Sequence, residues 1–344
     1  MTKSLKKTSI KDIAKKAGVA ISTVSHVINK TKYVSEKTRE KVNAAIQELD
    51  YRPNIIARGL RTKSIRTIGI LLPDIAQPFF AQVLRGIEET ARLRNYTLII
   101  GCTFYDICEE ERQMNSMLDQ SIDGIIFFCG YDLYEHIKKV HDSNIPVVVL
   151  DREIDDSEIP SVLVNNFTAM ESAVQYLYDL GHRRIGFITF PFENQTTIRR
   201  RYEGYCSALK KNGLKYNPDY VIIDDLLRLD ELKGTYAVIK QKVEEEKIPT
   251  AYVTLADFLA IGAIKALKEV GLSVPDDISV MGYNDEVICA FSEPSLTTVK
   301  QPKKLMGETA ANLLIDIIER KKIVNKNIIL KTEIIERRST AQFK

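Results

Sequence analysis

From Arg66 onward the chain alternates short, almost wholly apolar runs with helix-length amphipathic stretches, and this alternation restricts the fold more than any other feature. Runs such as IIFF (125–128) and VVVL (147–150) show no polar alternation. A strand of that kind must be covered on both faces, as in a parallel sheet flanked by helices. Nine such segments read as strands: 67–73, 96–101, 124–129, 146–150, 161–164, 184–190, 220–223, 250–254 and 278–283. Helix-length stretches fall at 79–94, 167–180, 202–212 and 258–270. The pattern restarts near Asn165, so two doubly wound α/β lobes with parallel sheets and a cleft between them are expected. Ligands of such sheets bind beyond the carboxyl ends of strands, which singles out the loops 73–80, 102–106, 129–132, 151–153, 190–201, 255–257 and 283–285.

The overall charge of +3 conceals an asymmetry. Residues 1–66 hold 16 Lys and Arg against 5 Asp and Glu, a net of +11, and the remaining 33 basic and 41 acidic residues leave the rest at −8. A basic end seeks phosphate, while an acidic remainder stays off nucleic acid. The five cysteines are odd in number and include no C-x-x-C pair, so neither a disulfide framework nor a zinc site is indicated, and reduced thiols in a cytoplasmic protein are expected. No signal core or membrane-length apolar run is present. No cofactor or metal is implied.

Within the basic end, Ser9 followed by Asp12 reads as a capping-box start for a helix to about Lys16, and Gly18 supplies a turn. Residues 19–29 read as a second helix with Val24, Val27 and Ile28 inward and Ile21, Ser22, Ser25, His26 and Asn29 outward. A third begins after Ser35, its apolar set Val42, Ala45, Ile46 and Leu49 spaced for one packed face. Two short helices joined by a Gly turn form a helix-turn-helix, an arrangement that serves DNA binding but also occurs as a plain structural corner.

The stretch from Thr8 to Leu60, TSIKDIAKKAGVAISTVSHVINKTKYVSEKTREKVNAAIQELDYRPNIIARGL, resembles the headpiece and hinge of the lactose repressor family, and STVSHVINKT is similar to its purine and ribose branch. The resemblance continues through IGILLPDIAQPFF, DGIIFF, GHRRIGFIT, LTTVKQP and IERRS, so it spans nearly the whole chain. It implies a headpiece at 1–52, a hinge helix and linker at 53–66, and an effector-binding and dimerisation domain at 67–344 with the fold of periplasmic binding proteins. Lobe 1 would comprise about 67–164 and 301–327, and lobe 2 about 165–300 and 328–344, with crossings near Asn165, Gln301 and Asn327. Ile21, Ser22 and His26 would read bases. Thr23, Ser25, Asn29, Ser35, Thr38, Tyr51, Asn54, Ala57 and Arg58 would touch the DNA backbone. Leu60 would wedge into the minor groove from a hinge helix that Gly59 and its shortness leave marginal in isolation; without the resemblance it reads as a buried linker residue. Ala20 stands where the family usually has a capping Ser.

By position, the resemblance places Phe79, Phe80, Asp151, Arg152, Arg201, Asp257 and Asn284 against the effector, a small polar molecule such as a sugar, nucleoside or sugar phosphate. Two departures affect its identity: Asn284 replaces an Asp usual in sugar-responsive members, and Ala256 an Asn. The run Arg199–Arg201 leaves room for a phosphorylated or carboxylated effector. The implied protein is a DNA-binding transcriptional regulator, a repressor acting as a homodimer on operator DNA. One alternative is a catabolite-control regulator whose corepressor is a phosphorylated carrier protein. A transport component would lack the basic headpiece, and no Ser/His/Asp set, H-E-x-x-H or phosphate-cradling loop indicates an enzyme.

Overall fold

The computed structural model describes residues 8–29, 32–51, 64–154, 156 and 158–343, with the side chain of Asn29 excepted. The expected hinge residues Asn54, Ala57, Arg58, Gly59 and Leu60 lie outside that set. Two compact units divide between Ile65 and Arg66.

The first unit holds α1 (Ile10–Ala17), α2 (Ile21–Asn29) and α3 (Glu36–Glu48). Asp12 accepts from both the backbone N–H and the hydroxyl of Ser9, at 2.9 and 2.7 Å, which fixes the start of α1. Gly18 ends it at φ 66°, left-handed geometry that glycine adopts without cost. Helix α2 starts two residues later than its pattern suggests, because the Val19 N–H closes the turn onto the Ala14 carbonyl at 3.1 Å. Ala20 then sits at the cap with no side-chain acceptor to offer. Ile13, Ala14, Val24, Val42 and Ala45 form the core, with Val27, Ile28, Ile46, Leu49 and Tyr51 packed around it.

The second unit contains two six-stranded sheets. Lobe 1 is built on β1 (Thr67–Leu72), β2 (Thr97–Cys102), β3 (Gly124–Phe128), β4 (Val147–Leu150), β5 (Ser161–Val164) and β11 (Asn327–Leu330), in the order β11-β5-β4-β3-β1-β2. Its helices are α4 (Pro78–Leu93), α5 (Ile107–Asp119), α6 (Glu135–Asp142) and α12 (Lys303–Ile318). Lobe 2 has β6 (Ile185–Thr189), β7 (Val221–Ile223), β8 (Ala251–Thr254), β9 (Ser279–Asn284), β10 (Thr297–Lys300) and β12 (Glu333–Ile335), in the order β12-β10-β9-β8-β6-β7. Around it lie α7 (Asn166–Asp179), α8 (Thr196–Lys211), the single turn α9 (Leu226–Leu229), α10 (Glu231–Glu244) and α11 (Asp257–Glu269). All pairings are parallel except β10 with β12.

The apolar runs are explained by two-sided burial. In lobe 1, Ile68, Ile70, Ile126 and Phe128 face one core layer with α4 and α12, while Leu71, Ile125, Phe127, Val147 and Val149 face another with α5 and α6. Helices α4 and α12 approach so closely that a Cβ on Gly86 would lie 2.2 Å from the Lys304 carbonyl oxygen, and one on Gly307 2.0 Å from that of Val83.

Three crossings join the lobes, and the third departs from expectation. The chain was expected to leave lobe 1 near Asn327, but Asn327–Leu330 pairs with β5 in lobe 1, and the crossing falls between Leu330 and Glu333. Ile328 and Leu330 pack against the lobe 1 core, which accounts for the extension.

Candidate functional site

On the first unit, α2 buries Val24 and turns Ile21 and Ser22 outward, with Ile21 45% exposed. Thr23, Ser25 and His26 are half-buried. At the start of α3 the hydroxyls of Ser35 and Thr38 lie 2.9 Å apart, and Tyr51 packs its ring on the core. Ile21, Ser22 and His26 thus share one helix, while Thr38 lies in the first turn of α3 and Ser35 and Tyr51 flank it.

In the second unit, non-glycine residues with left-handed backbone gather where strands end at the cleft. Phe104 (φ 51°) and Tyr105 (φ 56°) follow β2, Cys129 (φ 58°) follows β3, Asp151 (φ 49°) follows β4, and Asn284 (φ 111°) and Asp285 (φ 56°) close β9. Such conformations cost on the order of 1–3 kcal/mol each and persist where the surroundings enforce them, commonly at ligand sites.

Asp151 is 2% exposed, and its Oδ1 finds no donor in the protein. Burial pushes its carboxyl up to about 6, against the opposing pull of Arg201 and Asn166. Arg201 reaches the same space from α8, with Nε donating to Asn166 Oδ1 at 2.8 Å, Nη1 donating to the Leu255 carbonyl at 3.0 Å, and the guanidinium 3.8 Å above the Tyr283 ring. Phe79 keeps part of its surface open beside Phe128, whereas Phe80 is 3% exposed and packs edge-on to Phe128 in the core.

The other expected contacts are committed elsewhere. Arg152 turns into lobe 1, donating to Glu110 Oε1 at 2.9 Å and to the Leu133 carbonyl at 2.5 Å; His136 holds the same Glu110 oxygen at 2.6 Å. Burial works to raise the Glu110 carboxyl, but His136 and Arg152 prevail and hold it below its ordinary value. Asp257 accepts from the Thr298 hydroxyl at 2.5 Å and the Glu286 N–H at 2.7 Å, so it pins the β9 and β10 ends together. Asn284 Oδ1 accepts from Gln301 Nε2 at 2.8 Å. Of the arginine run, Arg199 donates to the Thr196 hydroxyl and Arg200 pairs with Glu153 and Glu203. None of the three offers an uncommitted guanidinium to an anion.

Contacts also run across the cleft. Asp132, after β3, accepts from the Thr196 N–H at 2.6 Å and so caps α8, while its own N–H donates to the Asn194 carbonyl at 2.7 Å. Thr197 donates to the Asp151 carbonyl at 3.2 Å, and Gln82 on α4 donates to Glu286 at 2.7 Å. Lys303 at the start of α12 donates to the carbonyls of Asn284 and Asp285, at 2.6 and 2.8 Å.

Comparison with known proteins gives this geometry a family. Residues 9–54 match the model of bacterial regulatory proteins of the lacI family, and residues 174–340 match a periplasmic binding protein-like domain. The regulator RegA of Clostridium saccharobutylicum is 35% identical over 97% of this chain and 99% of its own length. The chain belongs to the LacI family. The repressor PurR of Erwinia tasmaniensis is 37% identical, with 97% of each chain covered. A solved lac repressor dimer, bound to operator and an anti-inducer, superposes with a TM-score of 0.85 at 28% identity, covering 98% of this chain and all of that one. As a LacI-family member the protein is a DNA-binding transcriptional repressor under small-molecule control, with a helix-turn-helix headpiece and a periplasmic-binding-protein-like domain.

Four cleft residues escape the strand-end positions carried by the family resemblance. Tyr105 enters from lobe 1, and burial raises its hydroxyl well above the ordinary value. Arg228 on α9 lies over the rings of Phe190 at 4.9 Å and Tyr105 at 5.8 Å, and its guanidinium donates to the Pro191 carbonyl. Gln195 is 3% exposed with an unpartnered Nε2. Glu231, first in α10, has an enclosed Oε2 that meets no donor. A signal for them existed: all four lie beyond the ends of β2, β6 and β7, but the sequence there does not show which side chain turns inward. No group of His, Cys, Asp and Glu suited to hold a metal occurs among the described residues, and no described helix is long and apolar enough to cross a membrane.

Proposed function

We propose that the protein is a cytoplasmic repressor that binds a two-half-site operator as a homodimer and that a small polar effector, enclosed between its lobes, sets its operator affinity. Ile21, Ser22 and His26 read base edges. Thr23, Ser25, Asn29, Ser35, Thr38, Tyr51, Asn54, Ala57 and Arg58 hold the backbone, and Leu60 serves as the minor-groove wedge. In the cleft, Phe79, Asp151 and Arg201 meet the effector, with Arg152, Asp257 and Asn284 shaping the walls they stand in. Asp151 carries this reading: a carboxylate oxygen wholly enclosed at a strand end, with no donor from the protein, calls for a ligand that supplies one. The same argument disfavours a carrier-protein corepressor, because the uncommitted groups lie inside the cleft where a small molecule fits.

A homodimer is supported by the apolar face that flanks α11. Val287 is 68% exposed and Phe291 79%, next to a groove of about 370 Å³ whose apolar floor is Ile261, Ile264 and Ile288 and whose rim carries Lys265, Lys268, Glu269 and Glu293. Such clustering on a water-facing surface marks an association site. The relative of known structure is described as a dimer on its operator.

Titration of the protein onto a duplex selected from random sequence tests the DNA reading. Each phosphate neutralised contributes roughly −0.9 to the slope of log affinity against log salt, so a steep fall is expected, with a roughly palindromic site. His26→Ala is expected to relax preference at one position per half-site and cost about 1–3 kcal/mol on the preferred sequence. A flat salt dependence, or an equal loss on every sequence, contradicts base reading by α2.

A further inference from the structure

Glu231 is the least compensated charge in the cleft. It opens α10, at the lobe 2 wall opposite Tyr105, and its Oε2 is shut off from solvent with no donor in reach. Every charged neighbour that acts on it appreciably is acidic: Asp257, Glu286 and Asp230. Burial, with these three behind it, pushes the carboxyl up to about 7. Asp151, across the cleft, and Gln301, between β10 and α12, present further enclosed acceptors, against the enclosed donors Gln195 Nε2 and Arg152 Nε. The acceptors therefore outnumber the donors. The arginines that could reverse this balance are spent: Arg199 and Arg200 pair within lobe 2 or with Glu153, Arg201 is held by Asn166 and Leu255, and Arg228 donates to the Pro191 carbonyl.

We infer that Glu231 selects the charge of the effector: the ligand presents a protonated or hydrogen-bearing amine to Glu231 and hydroxyl or N–H donors to Asp151, and phosphorylated or carboxylated molecules are excluded. This rests on the reading of the cleft as the effector site. A carboxylate enclosed among carboxylates gains from a cation or a donor-only group what water can no longer give it, and an anion in the same place meets like charge, while Arg201 and Arg228 are already held by backbone carbonyls. The rings of Tyr105 and Phe190, with the Arg228 guanidinium over both, give the wall flat surfaces suited to a ring that carries the amine.

Thermal unfolding of the full-length protein against three matched sets of probes tests it: amino sugars and amine-bearing nucleosides, neutral sugars, and sugar phosphates. The expected result is stabilisation by an amine-bearing probe and not by sugar phosphates, with Glu231→Gln weakening that probe's affinity at least tenfold and Asp151→Asn weakening it as well. The melting transitions of both variants without probe establish that they fold. Stabilisation by a sugar phosphate, or by a probe whose affinity Glu231→Gln leaves as in the parent, overturns the charge assignment while the effector reading stands. Failure of every probe in all three sets to stabilise a protein that still binds DNA overturns the effector reading, and the charge assignment with it.

Discussion

Asp151 at about 6, Glu231 at about 7 and Asp257 at about 7 all release their protons later than a carboxyl in the unfolded chain, with burial the largest cause for each. A carboxyl raised on folding stabilises the protein below its unfolded pKa, and that contribution disappears as pH rises through the folded value. For Glu231 the window runs from the ordinary 4.5 up to about 7. Glu231→Gln removes the ionisation, so the variant is expected to melt above the parent near pH 8 and to lose that advantage near pH 5, as linkage requires. Melting temperatures that differ equally at both pH values contradict the assignment. At this scale the sequence was partly legible. Asp151 and Arg201 could be placed because strand ends and the family pattern coincide there. The commitment of Arg152 to Glu110 and of Asp257 to Thr298 could not, since the partners are 42 and 41 residues away. Tyr105 was hidden for another reason: its direction depends on a left-handed turn that ordinary residues adopt only under tertiary constraint.

Elements were more legible than side chains, because two-sided burial leaves a signature in composition. All nine apolar runs became strands. The segments not picked out as helices, α5, α6 and α10, are rich in charged residues, and β10, β11 and β12 are short edge or crossing strands whose pairing comes from distant chain. Helix α8 begins at Thr196, six residues before its periodic stretch, because Asp132 of the other lobe caps it. Two substitutions probe elements directly. Alanine for glycine within a helix ordinarily gains about 0.8–1.0 kcal/mol. Gly307→Ala is expected to reverse that sign and destabilise by about 1–3 kcal/mol, because its Cβ meets backbone that cannot yield. Denaturant unfolding measures it, and a stabilised variant contradicts the close α4–α12 contact. Ala20→Ser places an acceptor at the start of α2 and is expected to stabilise the headpiece by about 1 kcal/mol, read from its own unfolding transition; no gain means that the cap is already satisfied.

For the whole molecule, the basic headpiece and the acidic two-lobed domain divide two tasks: the first gathers phosphate, and the second encloses a ligand. Polar links join the lobes across the cleft, among them Asp132 with Thr196, Thr197 with Asp151 and Gln82 with Glu286. Removal of the first by Asp132→Ala takes away a helix cap of about 1 kcal/mol that exists only when the lobes meet. It is expected to weaken effector binding several-fold, as isothermal titration would show, and unchanged affinity would mean that closure does not depend on this link. The central claim is that occupancy of the cleft controls the headpiece's hold on DNA. Its most direct test is the affinity of the full-length protein for its selected operator at fixed salt, measured by fluorescence anisotropy with and without a saturating cleft ligand. Coupling of the usual strength, about 1–3 kcal/mol, predicts a change of about 5- to 150-fold in operator affinity. Operator affinity that stays the same while the ligand is demonstrably bound would contradict the account.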